Sequence, residues 1–393
     1  MEEGVGDTID CYGEMKLVFI TNFINHHQVH VADIFYRLLG DGYKLIETEP
    51  IPESFIKTGY PQYDRDYLVK AYQNDEQQSC AYKLVSDADV VIIGSAPECY
   101  VTGRILEGKL TFRYSERWFK AKPWYLTGIK GWVNFYKNHI RYKDKPLYML
   151  CASAYTATDV NRIGAYKGKC YKWGYFTNVD FIDPDLHQFN ATSKSDKLKI
   201  MWCSRFIRSK HPELPIMLAA RLKTKGYNFV VDMFGGGELL EQTKVLANRL
   251  DVNDCVNFCG NHPNHEILKE MRNHDIFLFT SDKNEGWGAV LNEAMSSMTV
   301  VVGSHLIGAV PYLIQDGVNG CIFKSRNIDS LEEKVRFLID NPEHRFKLAK
   351  NAYLTISNEW SPDSAVKKFL QLVNALQCGD DSLIPVSGPC SKA

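Results

Sequence analysis

Short apolar runs rich in β-branched and aromatic residues recur along the chain, and most lead through a turn into a helix-forming stretch. In the first half they are Met15–Asn22, Asp89–Gly94, Tyr148–Ser153 and Cys170–Phe176; in the second, Lys197–Ser204, Phe229–Phe234, Cys255–Gly260, Asp275–Thr280 and Thr299–Gly303. Runs this short, without strict alternation, read as strands of a parallel sheet covered by helices on both faces. Glycine turns such as Gly235-Gly-Gly237 and Gly317 punctuate the alternation. The order strand, turn, helix, strand predicts an α/β, doubly wound fold. At 393 residues the chain is long for a single core, so two such domains are expected.

One segment of the second half carries chemistry. Glu285 and Glu293 flank Gly286-Trp287-Gly288, after the strand Asp275–Thr280 and before a helix expected from Ala289 to Met298. The glycines let backbone approach a ligand closely, and the first free amides of the helix, at Ala289 and Val290, point into the same space. Such a turn suits a diphosphate. Glu285 precedes the helix and can face a sugar hydroxyl, while Glu293 lies about two turns further in and can accept hydrogen bonds from a ribose diol. Upstream, the strand Lys197–Ser204 leads into Arg205, Arg208 and Lys210 and then a helix from about Pro212 to Lys225. Ligands of open α/β sheets bind outside the carboxyl ends of the strands, which places Arg205 and Lys210 to neutralise a pyrophosphate, with Arg208 in reserve.

These features together resemble the donor half of a family 4 glycosyltransferase of the GT-B fold. The resemblance covers residues 196 to about 375: an Arg followed five positions later by Lys, a glycine-rich turn, a strand ending Phe-x-Gly, and Glu-x7-Glu in a glycine turn. It implies two Rossmann-like doubly wound domains facing a central cleft, with a C-terminal helix crossing back to the first. Arg205 and Lys210 would then hold the donor diphosphate, Glu285 the transferred sugar and Glu293 the ribose. Backbone at Gly235, Gly236, Gly260, Asn261 and His262 would meet the phosphates and base, and Gly286, Trp287, Gly288, Ala289 and Val290 would complete the donor site. The implied activity is retaining, metal-independent transfer of a hexose from a nucleotide-diphosphate sugar, UDP-linked before GDP-linked. The acceptor would be a saccharide or lipid-linked saccharide in surface polysaccharide assembly, and no cofactor is implied. Domain closure over the substrates is expected. The rival readings are a GT-B sugar-nucleotide epimerase and a catalytically silent nucleotide-sugar-binding module.

Composition narrows the field further. Hydrophobic residues make up 45% and charged residues 24%, as in ordinary globular enzymes, and a net charge of -1 argues against a general nucleic-acid binder. No run approaches the ~20 apolar residues of a membrane span, and Met1–Asp7 lacks a signal-peptide pattern, so a cytoplasmic location is expected, the inner face of the plasma membrane included. Eleven cysteines without a Cys-x-x-Cys pair read as free thiols in a reducing compartment. Cys255, Cys259, His262 and His265 are a poor zinc set, because residues spaced along one strand do not converge. Neither Asp64-Arg-Asp66 nor Asp87-Ala-Asp89 stands at a strand's carboxyl end, and no metal site is expected.

The first half departs from the family pattern. Where most members carry a Gly-Gly turn, this chain has Phe23-Ile-Asn25-His26-His27-Gln28, similar to a bacterial subgroup. His26 and His27 stand at a strand's carboxyl end, and one of them is expected to touch acceptor or donor. We assign His27 to the catalytic set and Asn25 and His26 to the acceptor side. A second acceptor loop follows the strand beginning at Leu110. Family members often have histidine there; here Arg113, Ser115 and Glu116 stand instead. Glu116 is the candidate to contact the acceptor hydroxyl or assist its deprotonation, with an ion pair to Arg113 or Arg117 as the structural alternative.

From Lys109 to Lys145 ten Lys or Arg face only Glu116 and Asp144, interleaved with Trp118, Phe119, Trp124, Tyr125, Trp132, Phe135 and Tyr136. This composition fits peripheral contact with an anionic membrane; it also fits an amphipathic helix with aromatics in the core and lysines in water. The expected boundaries are an extension over 1–14, an acceptor domain over 15–190, a polar linker at Thr192–Asp196, a donor domain over 196–357, a crossover helix over 358–378 and a flexible tail over 379–393.

Overall fold

The computed structural model describes residues 14–57, 60–120, 128–183 and 197–393, which gather into two compact units. One runs to Asn178 and takes up Pro362–Ala393; the other is Val179–Ser361. The expected extension over 1–14, save its last residue, and the expected linker Thr192–Asp196 lie outside the described residues.

The first unit is built on a parallel seven-stranded sheet of β1 (Leu17–Thr21), β2 (Tyr43–Glu47), β3 (Leu68–Lys70), β4 (Val90–Ile93), β5 (Thr111–Ser115), β6 (Leu147–Cys151) and β7 (Cys170–Lys172). Their order across the sheet is β3-β2-β1-β4-β5-β6-β7. All side chains of β1 and β4 are buried, as strands covered on both faces require. Burying each Val, Leu, Ile or Phe contributes about 1.5–3 kcal/mol relative to leaving it exposed.

The second unit repeats the plan with β8 (Leu198–Cys203), β9 (Phe229–Phe234), β10 (Val256–Gly260), β11 (Ile276–Phe279), β12 (Val300–Ser304) and β13 (Cys321–Phe323), in the order β10-β9-β8-β11-β12-β13. In both all-parallel sheets the strand order reverses beside the first strand, between β1 and β4 and between β8 and β11. The carboxyl ends of those strands are where an open sheet leaves a crevice.

Two boundaries differ from expectation. The first unit ends at Asn178 rather than 190, because Val179–Asp183 is tied to the second: the Ile182 N–H donates to the Tyr353 hydroxyl at 2.9 Å, and Asp180 pairs with Arg272. Trp360 packs beside Trp287 and Tyr312 with ring centroids 5.9 Å from each, so the chain leaves the second unit after Ser361, not 357. The helix Pro362–Cys378 then lies in the first unit, where Phe369 meets Phe35 and Phe112 edge-on at 5.6 and 5.0 Å.

The tail expected to be flexible is ordered instead. Tyr171 and Lys392 form an antiparallel bridge, Cys390 N–H donates to Lys172 O at 2.7 Å, and Lys172 N–H donates to Ser391 O at 2.8 Å. Gly, Ser, Pro and Asp read as a solvated tail, but β7 is an edge strand with unpaired backbone groups, and the tail satisfies them. Among the described residues no helix is long and apolar enough to cross a membrane.

Candidate functional site

In the second unit, the loops after β8 and β11 are stitched together at the sheet's switch point. Buried Trp202 donates its indole N–H to Thr280 Oγ1 at 2.8 Å, and the Thr280 hydroxyl donates to Lys210 O at 2.6 Å. Asp282 N–H donates to Ser209 O at 3.0 Å. This lacing holds Lys210 against Glu285: their side chains form an ion pair, only 15% and 16% exposed. Arg205, on the same loop, is exposed. A cation and a carboxylate are thus fixed side by side, with an exposed cation on the same loop.

The turn that follows depends on glycine. Gly288 has φ +90°, and a Cβ there would lie 2.3 Å from Phe279 Cζ. Ala289 and Val290 head the helix Val290–Ser296. Trp287, expected with its neighbours to line the site, is fully buried; its indole N–H donates to Asn292 Oδ1 at 2.9 Å and its ring lies among Tyr312 and Trp360. A large aromatic ring gains more from the core than from the turn's surface, so Trp287 anchors the turn from behind.

Glu293 is half-buried on that helix, and burial pushes its carboxyl up to about 7, while a weak hydrogen bond from Asn264 Nδ2 at 3.3 Å opposes the shift. Cys203, at the end of β8, has its thiol raised to about 12 by burial and by the Glu293 charge.

The loop after β9 runs against its neighbours. Gly235 N–H donates to Gly260 O at 2.7 Å, Phe206 N–H donates to Gly236 O at 2.8 Å, and a Cβ on Gly236 would come within 3.2 Å of the Asn261 carboxamide. At Gly235 φ is +119°, and a Cβ would sit 2.0 Å from Ser204 O. Gly235→Ala is therefore expected to destabilise the protein by about 2–4 kcal/mol from backbone strain plus overpacking, read as a lower urea midpoint. An unchanged midpoint would mean the loops are not packed this way. His262 is exposed and tied to the elements on either side of it, with Nδ1 2.8 Å from Glu266 Oε2 and Nε2 3.0 Å from Cys259 O. Gly235, Gly236, Gly260, Asn261 and His262 thus belong to adjoining loops.

Some neighbours carried no sequence signal. His211, in a left-handed conformation with φ 53°, places its ring nitrogens 2.7 Å from Glu213 and 3.3 Å from Asp282, and the Glu213 carboxylate raises its pKa. It lines a cavity of about 330 Å³ with Arg208, Ser209, Asp282 and Arg326. Arg208 thus lines this cavity, while Lys210 is the cation that pairs with Glu285.

In the first unit, a cavity of about 270 Å³ lies at the ends of β1, β4 and β5, lined by residues that include Asn25, Gln28, Ser95, Ser115, Glu116 and Tyr175. Asn25 shapes the loop: its side-chain oxygen accepts the His27 N–H at 3.0 Å, and its carbonyl accepts those of Gln28 and Val29. The His27 ring stacks on Tyr175, centroids 5.0 Å apart and planes 13° off parallel. Burial, then the neighbouring His26 and His30, drives the His27 pKa down to about 3, so the ring is neutral at physiological pH. His26 lies against His27 and Tyr60, and the Nδ1 atoms of both histidines are buried without a hydrogen-bond partner.

Glu116 does not pair with Arg113 or Arg117. One carboxylate oxygen accepts the Tyr175 hydroxyl at 2.6 Å, and the other meets Lys120. Ser115 Oγ accepts the Trp118 indole N–H at 2.9 Å and donates to Glu116 O. Arg113, expected on the acceptor side, is instead a buried brace: it forks onto Glu98 at 2.5 and 2.6 Å and donates to Asn138 O at 2.9 Å. A guanidinium 7% exposed needs such partners, and Glu98 from the preceding connection supplies them. Among the described residues no cluster of three His, Cys, Asp or Glu side chains is placed to hold a metal.

Comparison with known proteins gives this geometry a context. Residues 184–355 match the model of glycosyl transferases group 1. The chain is 24% identical over 189 residues to an alpha-D-kanosaminyltransferase of Streptomyces kanamyceticus, covering 47% of this chain and 48% of that protein. It is 26% identical over 207 residues to the amylovoran biosynthesis glycosyltransferase AmsK of Erwinia amylovora, covering 51% of each. The matches span about half the length of these curated relatives. The crystal structure of Anabaena Alr3699/HepE in complex with UDP superposes with a TM-score of 0.66 at 13% identity, over 92% of this chain and all of that one. Two parallel-sheet Rossmann-like units and this superposition give the chain the GT-B fold, and its second unit is similar to the glycosyl transferases group 1.

Proposed function

We propose that this protein moves a hexose from a nucleotide-diphosphate sugar, UDP-linked in the first instance, to a saccharide or lipid-linked saccharide acceptor, with retention of anomeric configuration. The observation that carries the reading is the Lys210–Glu285 pair beside the Gly286–Gly288 turn at the switch point of the second sheet. Lys210, Arg205 and the first amides of the helix at Val290 stabilise the departing diphosphate, which is where charge develops as the sugar leaves. Glu285 orients the transferred sugar and Glu293 takes the ribose diol. The glycine loops after β9 and β10 approach the phosphates and base without side chains in the way. UDP is favoured because HepE, similar in fold, was crystallised with it. The cations do the work of charge neutralisation, and activity without added Mg²⁺ is part of the proposal.

On the acceptor side, neutral His27, Tyr175 and Glu116 form one connected set beside the first unit's cavity. Glu116 receives or positions the acceptor hydroxyl, and Tyr175 and Lys120 fix its carboxylate. Glu116→Gln is expected to lower kcat about 100-fold, within the usual range for general acid–base groups, and Tyr175→Phe by a smaller factor. Donor KM should stay unchanged in both. If instead donor KM rises and kcat holds, the carboxylate does not serve the acceptor.

The acceptors are expected in surface polysaccharide assembly at the cytoplasmic face of a membrane. The test is release of nucleoside diphosphate from UDP-glucose, UDP-N-acetylglucosamine and GDP-mannose, with and without a bacterial lipid extract. Release that depends on the extract supports transfer, whereas no release from any donor would contradict it.

A further inference from the structure

We infer that the helix Gly128–Asn138 is a docking face for an anionic bilayer, with Ile129, Trp132, Val133 and Tyr136 as the apolar seam that enters the interface. No residue of this helix is buried. The four are 84%, 36%, 46% and 59% exposed and recur at positions i, i+3, i+4 and i+7, so they form a single stripe about 10 Å long. A core helix turns such a stripe inward. Here the inward contact is made by Phe135, which stacks on Trp118 at 5.5 Å and meets Phe119 edge-on at 6.0 Å. The aromatics of this region therefore divide: Trp118, Phe119 and Phe135 serve the first unit's packing, Trp132 meets Phe135 edge-on at 6.1 Å, and Ile129, Val133 and Tyr136 stay exposed.

Charge identifies the occupant. On the helical wheel, Lys130 and Lys137 border the stripe on the side away from Phe135, and both are exposed. Arg141 and Lys143 follow, also exposed, and residues 128–143 contain no Asp or Glu. An apolar seam edged by cations matches lipid chains beneath anionic headgroups. A second copy of this chain would bring the same cations to the contact, which like-charge repulsion disfavours. The inference rests on the proposed function only for why a membrane is useful: lipid-linked acceptors are presented there.

The test uses the full chain, without donor or acceptor, in flotation with phosphatidylcholine vesicles and with vesicles that also contain phosphatidylglycerol. Binding is expected to the mixed vesicles only, to weaken with salt, and to fall at least about tenfold in I129E/V133E and in the surface variant K130E/K137E. Both variants should keep the thermal shift given by UDP, which separates failure of this inference from failure of the donor site. No binding to mixed vesicles, equal binding to neutral ones, or binding indifferent to both variants would overturn the inference. So would a wild-type dimer that I129E/V133E dissociates, since the stripe would then be a protein contact.

Discussion

Lys210→Ala is expected to lower kcat for sugar transfer about 100- to 1000-fold, the cost of removing one preorganised group that stabilises transition-state charge. Lys210 is the cation that the fold holds in place: its backbone is laced to β11 through Thr280, and its ammonium is positioned by Glu285. Arg205 is exposed and can be recruited, but it brings no fixed geometry before the donor arrives. Arg205→Ala should therefore cost less in kcat and more in donor KM. Lys210→Ala also leaves the Glu285 carboxylate, 16% exposed, without its cation. Steady-state kinetics with several donor concentrations separate the two variants. Equal, small effects in both would remove Lys210 from the chemistry.

Glu293→Gln is expected to weaken nucleotide binding about 10- to 150-fold, the range for losing a hydrogen bond to a charged group. The pH dependence sharpens this expectation. With its folded pKa near 7, the unliganded carboxyl is largely protonated at pH 6, and only the carboxylate accepts from both ribose hydroxyls. Nucleotide affinity of the native protein should rise between pH 6 and 8, and that of the Gln variant should stay flat. Stability should move the opposite way. A carboxyl whose folded pKa is raised above its ordinary 4.5 contributes stability that is present below pH 4.5 and lost as pH rises through about 7. Above pH 7 the unliganded Gln variant should thus melt no lower than the native protein while binding nucleotide less well. A variant that both unfolds more easily and binds normally would make Glu293 a structural residue.

The two sheets were legible because buried parallel strands announce themselves as short apolar runs, and β1, β4, β8, β9, β10 and β11 all fall within such runs. Glu285 and Lys210 stand out as residues at strand ends, but their pairing joins positions 75 apart and only the fold brings them together. Tyr175 escaped notice for the same reason, 59 residues from the Glu116 it holds. Arg113 misled because strand alternation puts it on the same face as Ser115 while saying nothing of Glu98, whose carboxylate claims it. Trp287 sits between two glycines that do shape the turn, and local pattern does not tell which way a side chain leaves such a turn. The tail was misread because composition describes a segment's own preferences, not the open sheet edge waiting for it.

The most direct measurement is a thermal-shift panel of UDP, GDP, ADP and their sugars on the native protein and on Glu293→Ala. A nucleotide present at about a hundred times its Kd should add roughly 2.7 kcal/mol of stability. The account predicts a selective shift with UDP and UDP-sugars that is lost in the variant. No shift with any nucleotide, or a shift that survives the loss of Glu293, would contradict it.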